Sequence, residues 1–291
     1  MIRDILHDII KLYFQRENVN FLHSLYDILY YRIETPRIFG KFHIISFFLS
    51  VLAVVVAVRL LGAAKDTTFR KFLFALWTVL VISEIYREIA FSLSVQNGVF
   101  VWDYAWYQFP FQLCGTPLYI LPVAIFAPEG RLRRACLSFL AIWSLFGGLT
   151  VVFYPAIIFT SFVGISIQSY FHHVAQVLIG VVIAVRGAKS GGLDRRFFLG
   201  GFYVFLSLVA TAMVMNEIGH GLLVANSIDD SFNMFFISPH YECTLPILSE
   251  IQKITPYPVF LLTYLVGFSL IALIIFGVLR IFTDKFVKKE V

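Results

Sequence analysis

Apolar runs of about twenty residues recur along this chain, and that length, as helix, matches the hydrocarbon thickness of a bilayer. Inside hydrocarbon every backbone N–H and C=O needs an internal partner, so a spanning segment is either a helix or a strand of a closed barrel. Barrel strands alternate apolar and polar residues over about ten positions, and these runs do not. Charged residues make up 14% of the chain and hydrophobic ones 59%. A soluble domain carries about 25% charged residues, so this chain lacks the charge to cover a water-facing surface. The expected fold is all-α, a polytopic membrane protein built as a seven-transmembrane-helix bundle.

Seven spans are predicted, at residues 43–62, 72–95, 106–127, 135–153, 167–186, 197–223 and 258–279. Pro155 argues against one helix running on from the fourth span, because proline removes a helical donor and clashes with the preceding turn. Basic residues alternate between the connections. Arg59, Lys65, Arg70 and Lys71 surround the first, and the second has none. Arg131, Arg133 and Arg134 mark the third, and the fourth again has none. Arg186, Lys189, Arg195 and Arg196 mark the fifth, Lys253 stands alone in the sixth, and Arg280, Lys285, Lys288 and Lys289 follow the last span. Since Lys and Arg concentrate in cytoplasmic loops, the pattern predicts an extracytoplasmic N-terminus and a cytoplasmic C-terminus. The net charge of +5 therefore reads as topology, not as nucleic-acid binding.

Residues 1–42 read as an N-terminal amphipathic, interfacial region. Ile2, Ile5, Leu6, Ile9, Ile10 and Tyr13 recur at helical spacing among six basic and five acidic groups. No cleavable signal peptide is expected there. Residues 43–283 form the membrane domain, and 284–291 a basic tail. The long connection 224–257 mixes aromatic with polar residues and reads as a packed lid. The three cysteines, Cys114, Cys136 and Cys243, are too few and scattered for a disulfide framework or zinc motif.

Ionisable and amide side chains inside spans are costly and call for a reason. At about 1.5 Å of rise per residue, four sets fall at one depth in the outer half. They are Glu84, Arg87 and Glu88; Gln108, Gln112 and Cys114; Gln168, His172, His173 and Gln176; and Asn216, Glu217 and His220. One shared chamber would explain the level. Ser169, His172 and Gln176 share a helix face, and Arg87 stands at i+3 from Glu84 to neutralise it.

Short ordered motifs add a resemblance. They are Ser83, Glu84 and Ile85; Pro110 to Cys114 (PFQLC); Tyr170 to Val174 (YFHHV); Asn216; Asn233 to Phe236 (NMFF) with Pro239; and Pro256 to Pro258 (PYP). In these the chain resembles the YwaF-type family of bacterial integral membrane proteins and, more distantly, a eukaryotic transmembrane phospholipid acyltransferase. The resemblance implies a seven-helix bundle that moves fatty acyl chains between phospholipids through a cysteine. Cys114 and His173 occupy positions of the bacterial motif. Gln112 stands where that motif usually carries His, and Phe111 where the eukaryotic cysteine aligns.

The leading expectation is a lipid acyltransferase or acyl hydrolase with membrane lipids as partners and no cofactor. Cys114 is the candidate nucleophile and His173 its base. Asn216 or Glu84 would orient the imidazole. Gln108 and Gln112 are candidate oxyanion donors, and His172, Gln176 and Asn233 candidate substrate contacts. Two alternatives stay open. Glu217 and His220 form a Glu-x-x-His pair that His172, His173, Glu84 and Glu88 would complete as a metal-dependent hydrolase. The same chamber would also serve a transporter, receptor or lipid-binding protein.

Overall fold

The computed structural model describes residues 18–287. The amphipathic helix expected over residues 2–13 and the last four residues of the basic tail lie outside the described residues. The described chain is predominantly helical: α1 (Asn18–Leu29), α2 (Lys41–Leu61), α3 (Asp66–Ser92), α4 (Pro117–Phe126), α5 (Arg131–Phe139), α6 (Leu145–Phe153), α7 (Val163–Lys189), α8 (Arg195–Ala225), α9 (Leu248–Ile254) and α10 (Tyr257–Val287). A buried π-turn, Leu140–Ser144, joins α5 to α6, so that Arg131–Phe153 runs as one rod.

Among the described residues five helices are long and apolar enough to cross a membrane: Lys41–Leu61, Arg131–Phe153, Val163–Lys189, Arg195–Ala225 and Tyr257–Phe282. The other two expected spans differ. Helix α3 has the length, at 27 residues, but carries Glu84, Arg87 and Glu88. The span expected at 106–127 is helical only over Leu113–Phe126, a shorter apolar stretch. Ahead of it, Trp106–Gln108 makes a single 3-10 turn, and the extended backbone of Gln112 breaks the helix. Phe48 and Leu52 on α2, and Leu262 and Ile274 on α10, stand exposed. Such a belt suits lipid and not water.

The all-α expectation fits the described chain, to which one short β-hairpin is added. The second span, expected to reach residue 95, stops at Ser92, and Leu93–Gln96 pairs antiparallel with Val99–Trp102. The turn between them is Asn97 and Gly98, both at positive φ (52° and 77°), the pairing that a tight hairpin turn demands.

The basic connections gather at one end of the bundle. Arg186 donates to the carbonyls of Leu61 (2.7 Å) and Ala64 (2.8 Å). Arg133 reaches Asp66 (2.7 Å), and Arg134 reaches Asp194 (2.8 Å). The hairpin, residues 154–162 and the long connection lie at the other end, where Ile33 bonds Ser161 (2.9 Å) and Trp106 bonds Asp230 (2.7 Å). The long connection is packed inward: Phe232, Met234, Phe235, Ile237 and Cys243 are all buried.

Two glycines set the spacing beneath the site. A Cβ on Gly148 would fall 2.7 Å from the His173 carbonyl, and one on Gly180 would fall 2.7 Å from the Leu145 Cβ. Small residues at these crossings let the Arg131–Phe153 rod lie directly against α7.

Candidate active site

The first turn of the short apolar helix, Leu113–Gly115, is a 3-10 turn, with Pro117 at the start of α4. Cys114 therefore sits at a helix N-terminus, where unpaired amides favour negative charge. Its carbonyl is held twice, by His172 Nε2 (2.9 Å) and by Gln176 Nε2 (2.7 Å). A carbonyl only accepts, so His172 carries its proton on Nε2 and a lone pair on Nδ1. That Nδ1 and the Gln176 Oε1 are buried without a partner among the described residues.

His173 has the opposite arrangement. Its Nδ1 faces the Ser169 carbonyl at 2.6 Å, so Nδ1 holds the proton and Nε2 keeps the lone pair. A neutral imidazole in this tautomer can accept a proton at Nε2, with its donor side fixed by backbone.

Arg87 organises the opposite wall. Its guanidinium contacts Glu84 through two nitrogens, reaches Glu88 (3.0 Å), and donates to both the side chain and the carbonyl (2.8 Å) of Gln108. The second Glu84 oxygen accepts from Gln168 (3.3 Å), which in turn accepts from Ser169 (3.2 Å). Tyr104 donates to Glu88 (2.9 Å), and burial together with that carboxylate pushes its phenol above the usual range. Buried charges call for such mutual pairing.

Glu84, Arg87, Gln108, Gln112, Cys114, His172 and His173 line one cavity of about 220 Å³. The walls come from α3, from the 108–115 segment and from α7, with Ile157, Ile158 and Thr160 closing one side. Three of the four spans expected to share a chamber thus do so. Helix α8 does not reach it.

Several residues sit elsewhere than the sequence reading placed them. Both amide atoms of Asn216 bond the Met234 backbone, at 3.1 and 2.6 Å, so this side chain anchors the long connection and does not line the cavity. Glu84 holds Arg87 and Gln168, and the backbone of Ser169 orients His173 in its place. Gln112 bonds Asn233 O (2.9 Å) and Phe235 N (2.8 Å), tying the cavity wall to the lid. Asn233 bonds Glu242 and Ser238 within its own loop, and Gln176 lies behind Cys114. The lid contributes no residue to the cavity lining. The wall residues Ile157, Ile158 and Thr160 lie in the apolar stretch 154–166 that Pro155 separates from the fourth span, and the Ser169 carbonyl had no signal in the sequence.

The metal set does not assemble. Glu217 pairs with His240 (3.0 Å), His220 faces Tyr241 (3.1 Å), and the His220 and His240 rings stack 3.8 Å apart. These contacts turn the pair toward the lid and away from the cavity. Among the described residues no three His, Cys, Asp or Glu side chains form a group that could hold a metal ion.

A model of the TMEM164 family matches residues 38–280. The chain belongs to the TMEM164 family. No curated protein and no solved structure matches it significantly. The TMEM164 region starts after α1 and takes in every residue that lines the cavity, together with the whole lid. The protein is accordingly a multi-pass membrane protein, with apolar helices to match.

Proposed function

We propose that this TMEM164-family protein is a membrane-embedded acyl-transfer enzyme in which Cys114 is the nucleophile and His173 the general base. The observation that carries the reading is the shared cavity: a thiol at a helix N-terminus and an imidazole with its Nδ1 proton committed to backbone line the same small chamber. Arg87 and Glu84 are the charges within electrostatic reach of the thiol. The guanidinium and the helix N-terminus offset part of the cost of a buried thiolate.

In the proposed reaction the Cys114 proton passes to His173 Nε2 and the sulfur attacks an ester carbonyl carbon of a lipid. The C–O bond to glycerol breaks, the imidazolium returns its proton to the departing alkoxide, and a thioester remains on Cys114. An acceptor hydroxyl, or water, then takes the acyl group by the reverse sequence. The chamber holds the volume of about seven waters, so the ester end enters and the acyl chain stays between helices. Ile157, 79% exposed, marks the apolar mouth.

The reading places the site inside a seven-crossing bundle with a cytoplasmic C-terminus. Leu113–Phe126 is about 21 Å long at 1.5 Å per residue, short of the ~30 Å core. Cys114 therefore starts its helix below the membrane surface. Irregular backbone at that depth is tolerated where it lines a cavity, which is what residues 108–112 do.

Lipid analysis of cells expressing wild type, Cys114→Ala and His173→Ala tests this directly. Acyl-chain distribution among phospholipids should shift with wild type and with neither variant. A thiol-directed lipid probe that still labels Cys114→Ala to the same extent would remove Cys114 as nucleophile. A wild-type effect retained in both variants would return the cavity to a binding or transport role.

A further inference from the structure

A second feature lies on the outside of the bundle, at the end where the basic connections meet. A groove of about 920 Å³ runs between α4, α5 and α8. On α8 it follows one helical face from Arg196 to Thr211, a length of about 22 Å, more than the ~15 Å that one leaflet contributes to the hydrocarbon core. Its floor and walls are apolar, with Val123, Leu132, Leu199, Tyr203, Val204 and Leu208. The hydroxyls of Ser207 and Thr211 are spent on their own helix's carbonyls (2.8 and 2.9 Å), so neither leaves an unmet polar demand in the groove.

One end of the groove is cationic, with Arg131, Arg134 and Arg196. Arg134 is committed to Asp194 and the Gly192 carbonyl. Arg131 and Arg196 are exposed and make no ion pair among the described residues. Helix α5 begins beside them at Gly130 with no side-chain cap, adding free amides to the same corner. This arrangement of an acyl-length apolar channel with positive charge at one end is complementary to a lipid with an anionic headgroup.

We propose that this groove holds one anionic phospholipid of the leaflet at the basic end, its phosphate on Arg131 and Arg196 and one acyl chain along α8. The site is separate from the Cys114 cavity and stands whether or not that cavity is catalytic.

The test uses the full chain, reconstituted in nanodiscs of mixed phosphatidylglycerol and phosphatidylcholine, extracted gently, with retained lipid counted by native mass spectrometry. Wild type should retain phosphatidylglycerol preferentially. Replacing Arg131→Gln and Arg196→Gln should weaken the preference by about fivefold per arginine, while Arg131→Lys with Arg196→Lys should keep it. Val204→Trp should fill the channel and reduce retention of both lipids, and millimolar inorganic phosphate should displace neither. Equal retention of the two lipids by wild type would overturn the proposal, as would a glutamine pair that keeps the preference or a lysine pair that loses it equally. Displacement by inorganic phosphate would show an anion site with no lipid channel, and retention unchanged by Val204→Trp would do the same.

Discussion

His172 donates through Nε2 to the backbone carbonyl of Cys114 at 2.9 Å, while its neighbour His173 gives its Nδ1 proton to the Ser169 carbonyl at 2.6 Å. Adjacent histidines on one helix therefore have different tasks. The first pins the turn that carries the thiol, and the second keeps a lone pair for proton transfer.

The two are separable by substitution. His173→Ala should lower acyl transfer by about 10²–10⁴-fold, the usual contribution of a positioned general base, with a stability loss of about 1 kcal/mol for its own bond to Ser169. His172→Ala should cost about 1 kcal/mol of stability for the lost hydrogen bond, with Gln176 still holding the Cys114 carbonyl. Thermal unfolding and acyl-transfer rate, measured together, decide the assignment. The reverse pattern would exchange the two roles.

Asn216 is fully buried and its amide closes two bonds on Met234, donating from Nδ2 to the carbonyl and accepting at Oδ1 from the N–H. Asn216→Ala leaves the Met234 N–H unpaired, at about 1–3 kcal/mol, and leaves the Met234 carbonyl only its 3.4 Å bond from Ile237 N. The expected consequence is a loosened lid, read as faster proteolysis within residues 226–256. If acyl transfer were lost while the lid stayed protected, Asn216 would belong to the chemistry and not to the anchor.

Depth was readable from the sequence, and azimuth was not. Counting helical rise from the ends of apolar runs put Glu84, Gln112, Cys114 and His173 at one level, and these side chains do line one cavity. The same count put Asn216 at that level, yet its partner is a backbone carbonyl of a distant loop, which leaves no trace in composition. The Glu217 and His220 spacing was real, but its partners His240 and Tyr241 come from the lid. The hairpin was missed because the apolar run continued through it, although Asn97 and Gly98 carry the strongest short turn signal in the chain. The cavity's side wall of Ile157 and Ile158 was only partly legible: the apolar stretch after Pro155 could be placed at the membrane, but apolar residues in an apolar protein carry no contrast that marks a wall.

At the basic end, Asp194 caps α8 by accepting from Phe197 N at 2.7 Å and pairs with Arg134 at 2.8 Å. The Phe197 amide first, and Arg134 after it, hold the carboxyl below its ordinary 3.8. A carboxyl more acidic folded than unfolded contributes its stability in full above that ordinary value, and loses it as pH falls through the depressed one. Stability should therefore drop on acidification below about pH 4, and Asp194→Asn, which still caps but does not titrate, should flatten that part of the profile. Denaturation in detergent across that range is the measurement. An unchanged slope in the variant would assign the acid loss to other carboxylates.

Glu84 and Arg87 offer the sharpest test of why charge is buried here at all. Their side chains are 10% and 17% exposed, and each is the other's main neutralising partner. Arg87→Gln leaves two buried carboxylates, Glu84 and Glu88, uncompensated, at about 3–5 kcal/mol, and should unfold the protein at markedly lower temperature. Glu84→Gln leaves Arg87 paired with Glu88 at 3.0 Å and should cost less. The double substitution removes both of these charges but leaves Glu88 without its guanidinium, so it should recover part of the Arg87→Gln loss, because the amides can still bond across the gap. Acyl transfer should not recover with it, since the guanidinium near Cys114 would still be missing. A double variant restored in both stability and activity would make the pair purely structural, and one restored in neither would mean that Gln108, Gln168 and Glu88 depend on these charges more than the charges depend on each other.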